Sequence, residues 1–361
     1  MENPLAEIRG ELGHPCGVQT KFTVGLIRID RITVLRIERR TRLSSRKRTC
    51  LMALVSDTRI FILLCTCDGA EHLDEQLASY EAQTHENWAL WVSDDGSQDG
   101  TLEILRSWQE RWQGRHEMRL FSGARQGAAA NFMSLLTHPE LPRCTVALSD
   151  QDDVWHPDKL ARALDTLAAL PSDQPGLYGA QSIYTDADLH PTGRSVPPLR
   201  GPSFANALTQ NSVSGHSATL NPATLDLVRH AGVPTGIPFH DWWLYQLVTG
   251  AGGWVLVDTQ AVLFYRQHEN NVLGAHLGRN AFRQRLTMVA DGSYGDWIAA
   301  NLAALDQVSH LLLPNHAKLV HRILNKPRGP LRFWEMARAG LHRQRVSNTV
   351  LFYVAALLGR I

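Results

Sequence analysis

The sequence predicts an α/β fold: a mostly parallel central sheet flanked by helices, continued by a helical C-terminal extension. Two observations carry the prediction. From residue 58 onward, apolar runs of strand length alternate with segments of helical period, the pattern of a right-handed parallel sheet. The first run, Arg59 to Cys65, is unbroken rather than alternating, as a central strand covered on both faces requires.

Residues 1–57 precede this pattern and differ from it. They are rich in arginine (Arg36, Arg39, Arg40, Arg42, Arg46, Arg48) and show only a weak alternation, from Phe22 to Ile37, that fits one strand. A basic N-terminal extension is expected, disordered or lying upstream of the true start, with Met52 as an alternative first residue. An arm for membrane phosphates or nucleic acid is the competing account. The main domain follows at 58–274. After the Arg59 strand, His72 to Gln83 carries Leu73, Leu77 and Tyr80 at helical spacing. Leu90 to Val92 is the second strand, and Leu102, Leu105 and Trp108 mark the helix behind it. Met118 to Phe121, Ala128 to Leu136, Thr145 to Leu148 and Lys159 to Leu170 read as strand, helix, strand and helix. In the last region, 275–361, helices are expected over Arg279 to Leu312, Ala317 to Leu324 and Leu331 to Leu358. Arg332, Arg338, Arg343 and Arg345 precede the apolar run Val350 to Leu358. That run is too short to span a bilayer but able to lie on one; packing against the domain or a dimer contact is the other account.

Composition narrows the function. Lysine and arginine number 36 against 35 aspartates and glutamates, a net charge of +1, so no nucleic-acid partner is expected. Five cysteines, an odd number, do not make a disulfide framework and point to a reducing compartment. Cys65 and Cys67 lack a zinc-site spacing. The opening residues lack a basic start followed by an apolar core, and no apolar run reaches the roughly 20 residues a bilayer needs. A cytoplasmic location, at most peripheral on the cytoplasmic face of the membrane, is expected.

The chemistry concentrates where strands end. The apolar run Cys144 to Leu148 leads into Ser149-Asp150-Gln151-Asp152-Asp153-Val154-Trp155-His156-Pro157, three carboxylates within four positions. Clustered like charges repel and resist burial, but a divalent cation among them reverses the sign of the problem. The alternative is a helix N-terminus, where acids ahead of Pro157 complement the dipole; it accounts well for one aspartate and poorly for three. The second strand ends in Asp94-Asp95, so both acidic stretches fall on the rim where open α/β sheets bind ligands. Neither G-x-G-x-x-G after the first strand nor a P-loop is present, which disfavours both usual phosphate cradles. A metal held by carboxylates is the remaining device for gripping a phosphate.

Five motifs in order resemble those of family 2 glycosyltransferases. They are Leu64-Cys65-Thr66-Cys67-Asp68-Gly69 with Gln83-Thr84; Ser93-Asp94-Asp95-Gly96-Ser97 with Asp99-Gly100-Thr101; Ser149 to Trp155; His240-Asp241-Trp242-Trp243; and Tyr265-Arg266-Gln267-His268-Glu269-Asn270-Asn271. The last three are similar to the rhamnosyltransferase-like branch, and the resemblance spans about Arg59 to Gly274. It implies a GT-A fold, a nucleoside-diphosphate sugar donor and inversion at the anomeric carbon. By position it implies that Asp95 accepts the N3–H of the base, with Asp94, Asp68 and Thr66 lining the same pocket. Asp152 would be the main ligand of Mg²⁺ or Mn²⁺, Asp150 and Asp153 completing the acidic set and Asp150 also facing the ribose. His268 would reach the diphosphate or the metal in the closed state, and Asp241 would be the general base on the acceptor. Trp155 on the donor side, and Trp242 and Trp243 on the acceptor side, are candidates to stack on sugars. His216, in Ser214-Gly215-His216-Ser217, falls in a segment under the acceptor.

Blander roles stay open for each: Asp241 as a helix cap, Asp94 to Ser97 as a turn, His268 as a structural residue, and the tryptophans as core. Three positions depart from the family pattern: Cys67-Asp68 for Tyr-Asn, Arg125 for an asparagine, and His216 for a cysteine. The expected function is metal-dependent, inverting sugar transfer to a saccharide or lipid-linked acceptor in surface polysaccharide biosynthesis. A dTDP-linked deoxyhexose such as rhamnose is the leading donor and a UDP-sugar its competitor. Other readings are a sugar-phosphate nucleotidyltransferase, although Thr66 to Glu71 lacks the glycine-rich phosphate loop that needs, and a non-catalytic nucleotide-sugar binder.

Overall fold

The computed structural model describes residues 58–267, 287–288 and 291–361, together with the backbone of strands at 7–13, 19–29 and 32–38. Two compact units are distinguished. In the first, β1 (Glu7–Gly13), β2 (Gln19–Ile29) and β3 (Ile32–Glu38) form an antiparallel sheet in that order. Ile29 pairs with Ile32, so the weakly alternating stretch from Phe22 to Ile37 is two strands rather than one.

The second unit begins with β4 (Ile60–Thr66), buried along its whole length as its unbroken apolar run requires. β5 (Trp88–Asp94), β6 (Met118–Ser122) and β7 (Thr145–Ser149) are parallel to it in the order β6-β5-β4-β7. α1 (Leu73–Glu81), α2 (Thr101–Arg111) and α3 (Ala128–Leu136) form the crossovers. Asp99 starts α2: its Oδ1 accepts from the Thr101 N–H at 3.0 Å and from the Thr101 hydroxyl at 2.5 Å.

Beyond β7 the sheet is mixed, which refines the expectation of a mostly parallel one. β8 (Val154–Trp155) and α4 (Lys159–Leu167) are followed by β9 (Gly176–Thr185), β10 (Pro191–Arg194) and the short α5 (Phe204–Ala207). A 3₁₀ turn at Gly215–Ser217 then feeds β11 (Thr219–Leu220), and α6 (Pro222–Ala231), α7 (His240–Gly250) and β12 (Trp254–Arg266) complete the domain. β11 enters antiparallel between β7 and β9, β12 runs parallel to β9, and β8 pairs antiparallel with β12. A two-residue strand such as β11 shows no alternation for a sequence to display, so this reversal left no signal.

α7 is the centre of the core. Trp243, Leu244, Tyr245, Leu247 and Val248 are fully buried. The same hydrophobic cluster takes in Leu302 and Leu305 of α8 (Ser293–Gln307), Val320 and Ile323 of α9 (Pro314–Leu324), Met336 of α10 (Pro330–Arg338) and Ala356 of α11 (Val346–Leu357). Burying each such aliphatic side chain is worth about 1.5–3 kcal/mol, enough to hold these helices on the domain. The helix expected over Leu331 to Leu358 is therefore two helices. Gly340, at φ 68, ends α10 with its N–H on the Ala337 carbonyl, a left-handed step glycine takes without strain. Among the described residues no helix is long and apolar enough to cross a membrane.

Candidate active site

Strand register brings the motifs to one edge. Thr66 pairs with Asp94, and Leu64 with Ser149, so the loops after β4, β5 and β7 leave the same rim. Asp94 is fully engaged there. Its Oδ2 accepts from the Thr66 and Ser97 hydroxyls at 2.8 and 2.5 Å, and its Oδ1 from the N–H groups of Gly96 and Ser97 at 3.1 and 2.9 Å. Burial pushes its acidity toward the neutral form, yet these donors outweigh it and hold the carboxyl below its ordinary range. Asp94 thus builds the turn and orders Thr66 beside it.

Asp95 and Asp68 join neighbouring loops. Asp95 accepts from the N–H of Arg125 at 2.7 Å and of Gly127 at 2.9 Å, and Asp68, at φ 48, accepts from Gln98 N–H at 2.7 Å. Each carboxylate keeps lone pairs for a further donor. Gln151 closes the pocket from the other side. Its Oε1 accepts from Cys67 N–H at 2.8 Å and its Nε2 donates to the Cys67 carbonyl at 3.0 Å, an amide pairing laid across Gly69. Any Cβ at Gly69 would collide with that side chain.

The acidic loop before β8 is of a different kind. Ligand atoms of Asp150, Asp153 and His216 lie within 4.8 Å of one another. Asp153 is wholly buried and neither oxygen makes a close hydrogen bond; the Arg266 backbone N–H is the one nearby donor that favours its charge. Burial first, then the charges of Asp152 and Asp241, push Asp150 up to about 7; burial, Asp152 and Asp150 raise Asp153 as well. Lys159 is also wholly buried. Its ammonium donates to the His216 carbonyl at 2.7 Å and sits 3.2 Å from the Trp155 ring centroid, and burial lowers its pKa. His216 shares a 2.7 Å hydrogen bond between Nε2 and the Ser182 hydroxyl and stacks on Tyr265 at 4.5 Å. Arg266 holds the loop from behind, donating from Nε to the Asp152 carbonyl at 3.1 Å and pairing with Glu75. One buried and one half-buried carboxylate beside an imidazole, with neither Asp153 oxygen closely hydrogen-bonded, are a donor set that fits a hard divalent cation. The tightest group differs from the one expected: Asp152 stands alongside, and His216, expected near the acceptor, joins Asp150 and Asp153.

Asp241 lies in the first turn of α7, but the N-cap position is Phe239, so it does not cap the helix. Its Oδ2 accepts from Gly215 N–H at 2.9 Å and its Oδ1 from Trp242 N–H at 2.6 Å. Burial raises its pKa to about 6 against the pull of these donors and of Asn211. The Asp241 charge acts on Asp150, and Asp150 and Asp95 both act on the buried Cys65 thiol, behind burial itself. Gly215, which Asp241 holds, directly precedes His216, so Asp241 neighbours the Asp150 group.

Other expectations are corrected. Trp155, Trp242 and Trp243 are 2%, 3% and 0% exposed, so they form walls rather than open stacking faces. Trp155 lies between Tyr80, at 4.6 Å, and Lys159; Trp242 donates from Nε1 to the Ala207 carbonyl at 2.7 Å. His268 lies outside the described residues. Lys159, Gln151 and Ser182 were missed. A lysine opening a helix opposes the helix dipole, and that mismatch was the available signal for Lys159.

Known proteins are similar to parts of this chain. Residues 61–205 match the model of glycosyl transferase family 2. The dTDP-rhamnosyl transferase RfbG of Shigella flexneri is 26% identical over 239 residues, 64% of this chain and 80% of that protein. Among solved structures, the mannosyltransferase PcManGT of Pyrobaculum calidifontis, in complex with GDP-Man and Mn²⁺, is 18% identical with a TM-score of 0.47, covering 84% of this chain and 88% of that one. TarS 1–349 of S. aureus, in complex with UDP-GlcNAc, is 14% identical with a TM-score of 0.49, covering 78% and 89%. The α/β architecture that the sequence predicted is present, with a mixed central sheet. Over residues 61–205, therefore, the chain is similar to glycosyl transferase family 2.

Proposed function

We propose that the protein is an inverting glycosyltransferase that moves a sugar from a nucleoside diphosphate to a saccharide or lipid-linked acceptor in surface polysaccharide assembly, at the cytoplasmic face. The observation that carries this reading is Asp241: a half-buried carboxylate at about 6, bound to Gly215 beside His216 of the Asp150 group and not used to cap its helix. That value suits a general base near neutral pH. The acceptor hydroxyl gives its proton to Asp241 as its oxygen bonds to the anomeric carbon. On the opposite face the carbon–oxygen bond to the diphosphate breaks, and the nucleoside diphosphate leaves with that electron pair. Asp150 and Asp153, with His216 and Asp152 beside them, would hold Mg²⁺ or Mn²⁺, which as a Lewis acid eases departure of the diphosphate. Asp95 and Asp68 offer acceptor lone pairs to the base, and Thr66 supports them through Asp94. Similarity to RfbG favours a dTDP-deoxyhexose, such as rhamnose, over a UDP-sugar.

Asp241→Asn tests the assignment. Transfer should fall by about 10²–10⁴-fold while donor binding, followed by calorimetry, stays within about twofold. Wild-type turnover in this variant would remove Asp241 from the reaction. A screen of dTDP- and UDP-sugars by thermal shift with Mn²⁺ identifies the donor, because a ligand selective for the fold stabilises it by mass action.

A further inference from the structure

We propose that the outer face of the α10–α11 pair is a docking surface for an anionic lipid bilayer. The inference is independent of which sugar is transferred. α11 contains no charged residue. Phe352, Ala355 and Ala356 bury one side of it, while Val346, Val350 and Val354, spaced four apart, are 64%, 57% and 47% exposed on the other, and Leu358 beyond them is 71% exposed. On α10, Leu331 and Trp334 are 59% and 63% exposed, opposite the buried Arg332 and Met336. The end of α11 returns to the start of α10, where the Leu357 carbonyl lies beside Gly329, and Phe333 meets Tyr353 edge to face. The two helices are therefore antiparallel neighbours, and both apolar stripes point away from the body. Single exposed leucines need no explanation, but exposed apolar stripes on two neighbouring helices, one carrying a tryptophan, do.

Charge decides what covers it. Residues 326–361 hold seven lysines and arginines and one acidic residue, Glu335: seven minus one gives +6, whereas the whole chain is only +1. Arg332 turns inward onto the Lys326 and Leu324 carbonyls, but Arg338, Arg345 and Arg360 are exposed around the stripe. A second copy would set this positive surface against itself. A bilayer with anionic headgroups instead pairs with the arginines while the valines and Trp334 enter the headgroup boundary, the arrangement of an interfacial helix.

Flotation of the full-length chain with phosphatidylcholine vesicles, with and without phosphatidylglycerol, tests this. Binding should appear on the anionic vesicles, be at least about tenfold weaker on neutral ones, and weaken with salt. Arg338→Glu/Arg345→Glu and Trp334→Glu/Val350→Glu should each lower it at least about tenfold. Both variants change exposed positions, and each should keep the wild-type melting temperature and transfer to a soluble acceptor. No binding to anionic vesicles, or wild-type binding by both variants, overturns the proposal. So does a dimer in solution that Trp334→Glu/Val350→Glu abolishes, which would assign the face to a second copy.

Discussion

Two acidic loops leave the same rim, one after β5 and one after β7, and they are built in opposite ways. Both oxygens of Asp94 have donors at 2.5–3.1 Å, and its carboxyl is held below the ordinary range. Asp153 makes no close hydrogen bond, the Arg266 backbone N–H near it does not offset burial and its neighbours' charges, and it and Asp150 are pushed up. Carboxylates of similar sequence context therefore do different work: Asp94 is satisfied by the fold and shapes it, while Asp153 stays unsatisfied and calls for a cation. Lys159 offsets part of the charge of Asp153 and Asp150, but its hydrogen bond goes to the His216 carbonyl and its ammonium rests on the Trp155 face.

Substitution at each loop sharpens that contrast, because the two should change stability with opposite sign. Asp94→Ala removes four hydrogen bonds and is expected to cost about 2–4 kcal/mol in urea unfolding, with or without metal. Lys159→Met should cost about 1–3 kcal/mol in metal-free protein, because three carboxylates then face one another uncompensated, and Asp153→Asn in the same chain should recover part of that loss. Asp153→Asn alone should stabilise the metal-free protein by about 1 kcal/mol by relieving repulsion, while abolishing the upward melting shift with Mn²⁺. Destabilisation of equal size at Asp94 and Asp153 would erase the distinction.

The pH response is the gentlest test. Asp150, at about 7 in the fold against an ordinary value near 4, binds more protons folded than unfolded between those limits. Metal-free stability should therefore fall as pH rises from about 4 to about 7, and Mn²⁺ should flatten the slope. Turnover should move the other way, rising with pH through about 6 as Asp241 deprotonates.

How much of this was legible depended on whether a feature is local. The parallel half of the sheet was, because β4, β5 and β7 are buried runs bounded by turn residues, and α3 lies over Ala128–Leu136 as its spacing predicted. β9, β11 and β12 were not read: β11 has two residues, and β12 mixes exposed with buried positions. In the site, Asp150 and Asp153 stood out because like charges at a strand end are poor core. His216 did not, since only the antiparallel entry of β11 carries its 3₁₀ turn to the acidic loop. The tryptophans were misread because stacking ability says nothing of exposure, and the apolar neighbours of Trp242 and Trp243 bury α7 on every side.

The most direct measurement is calorimetric titration of dTDP and UDP into the chelator-treated protein, with and without Mn²⁺, repeated on Asp153→Asn. Binding of one nucleotide should tighten at least about tenfold with Mn²⁺ in the wild type and not in the variant. Nucleotide affinity equal in chelator and in Mn²⁺, or an undiminished metal effect in Asp153→Asn, would contradict a cation-gripping role for the donor-starved loop.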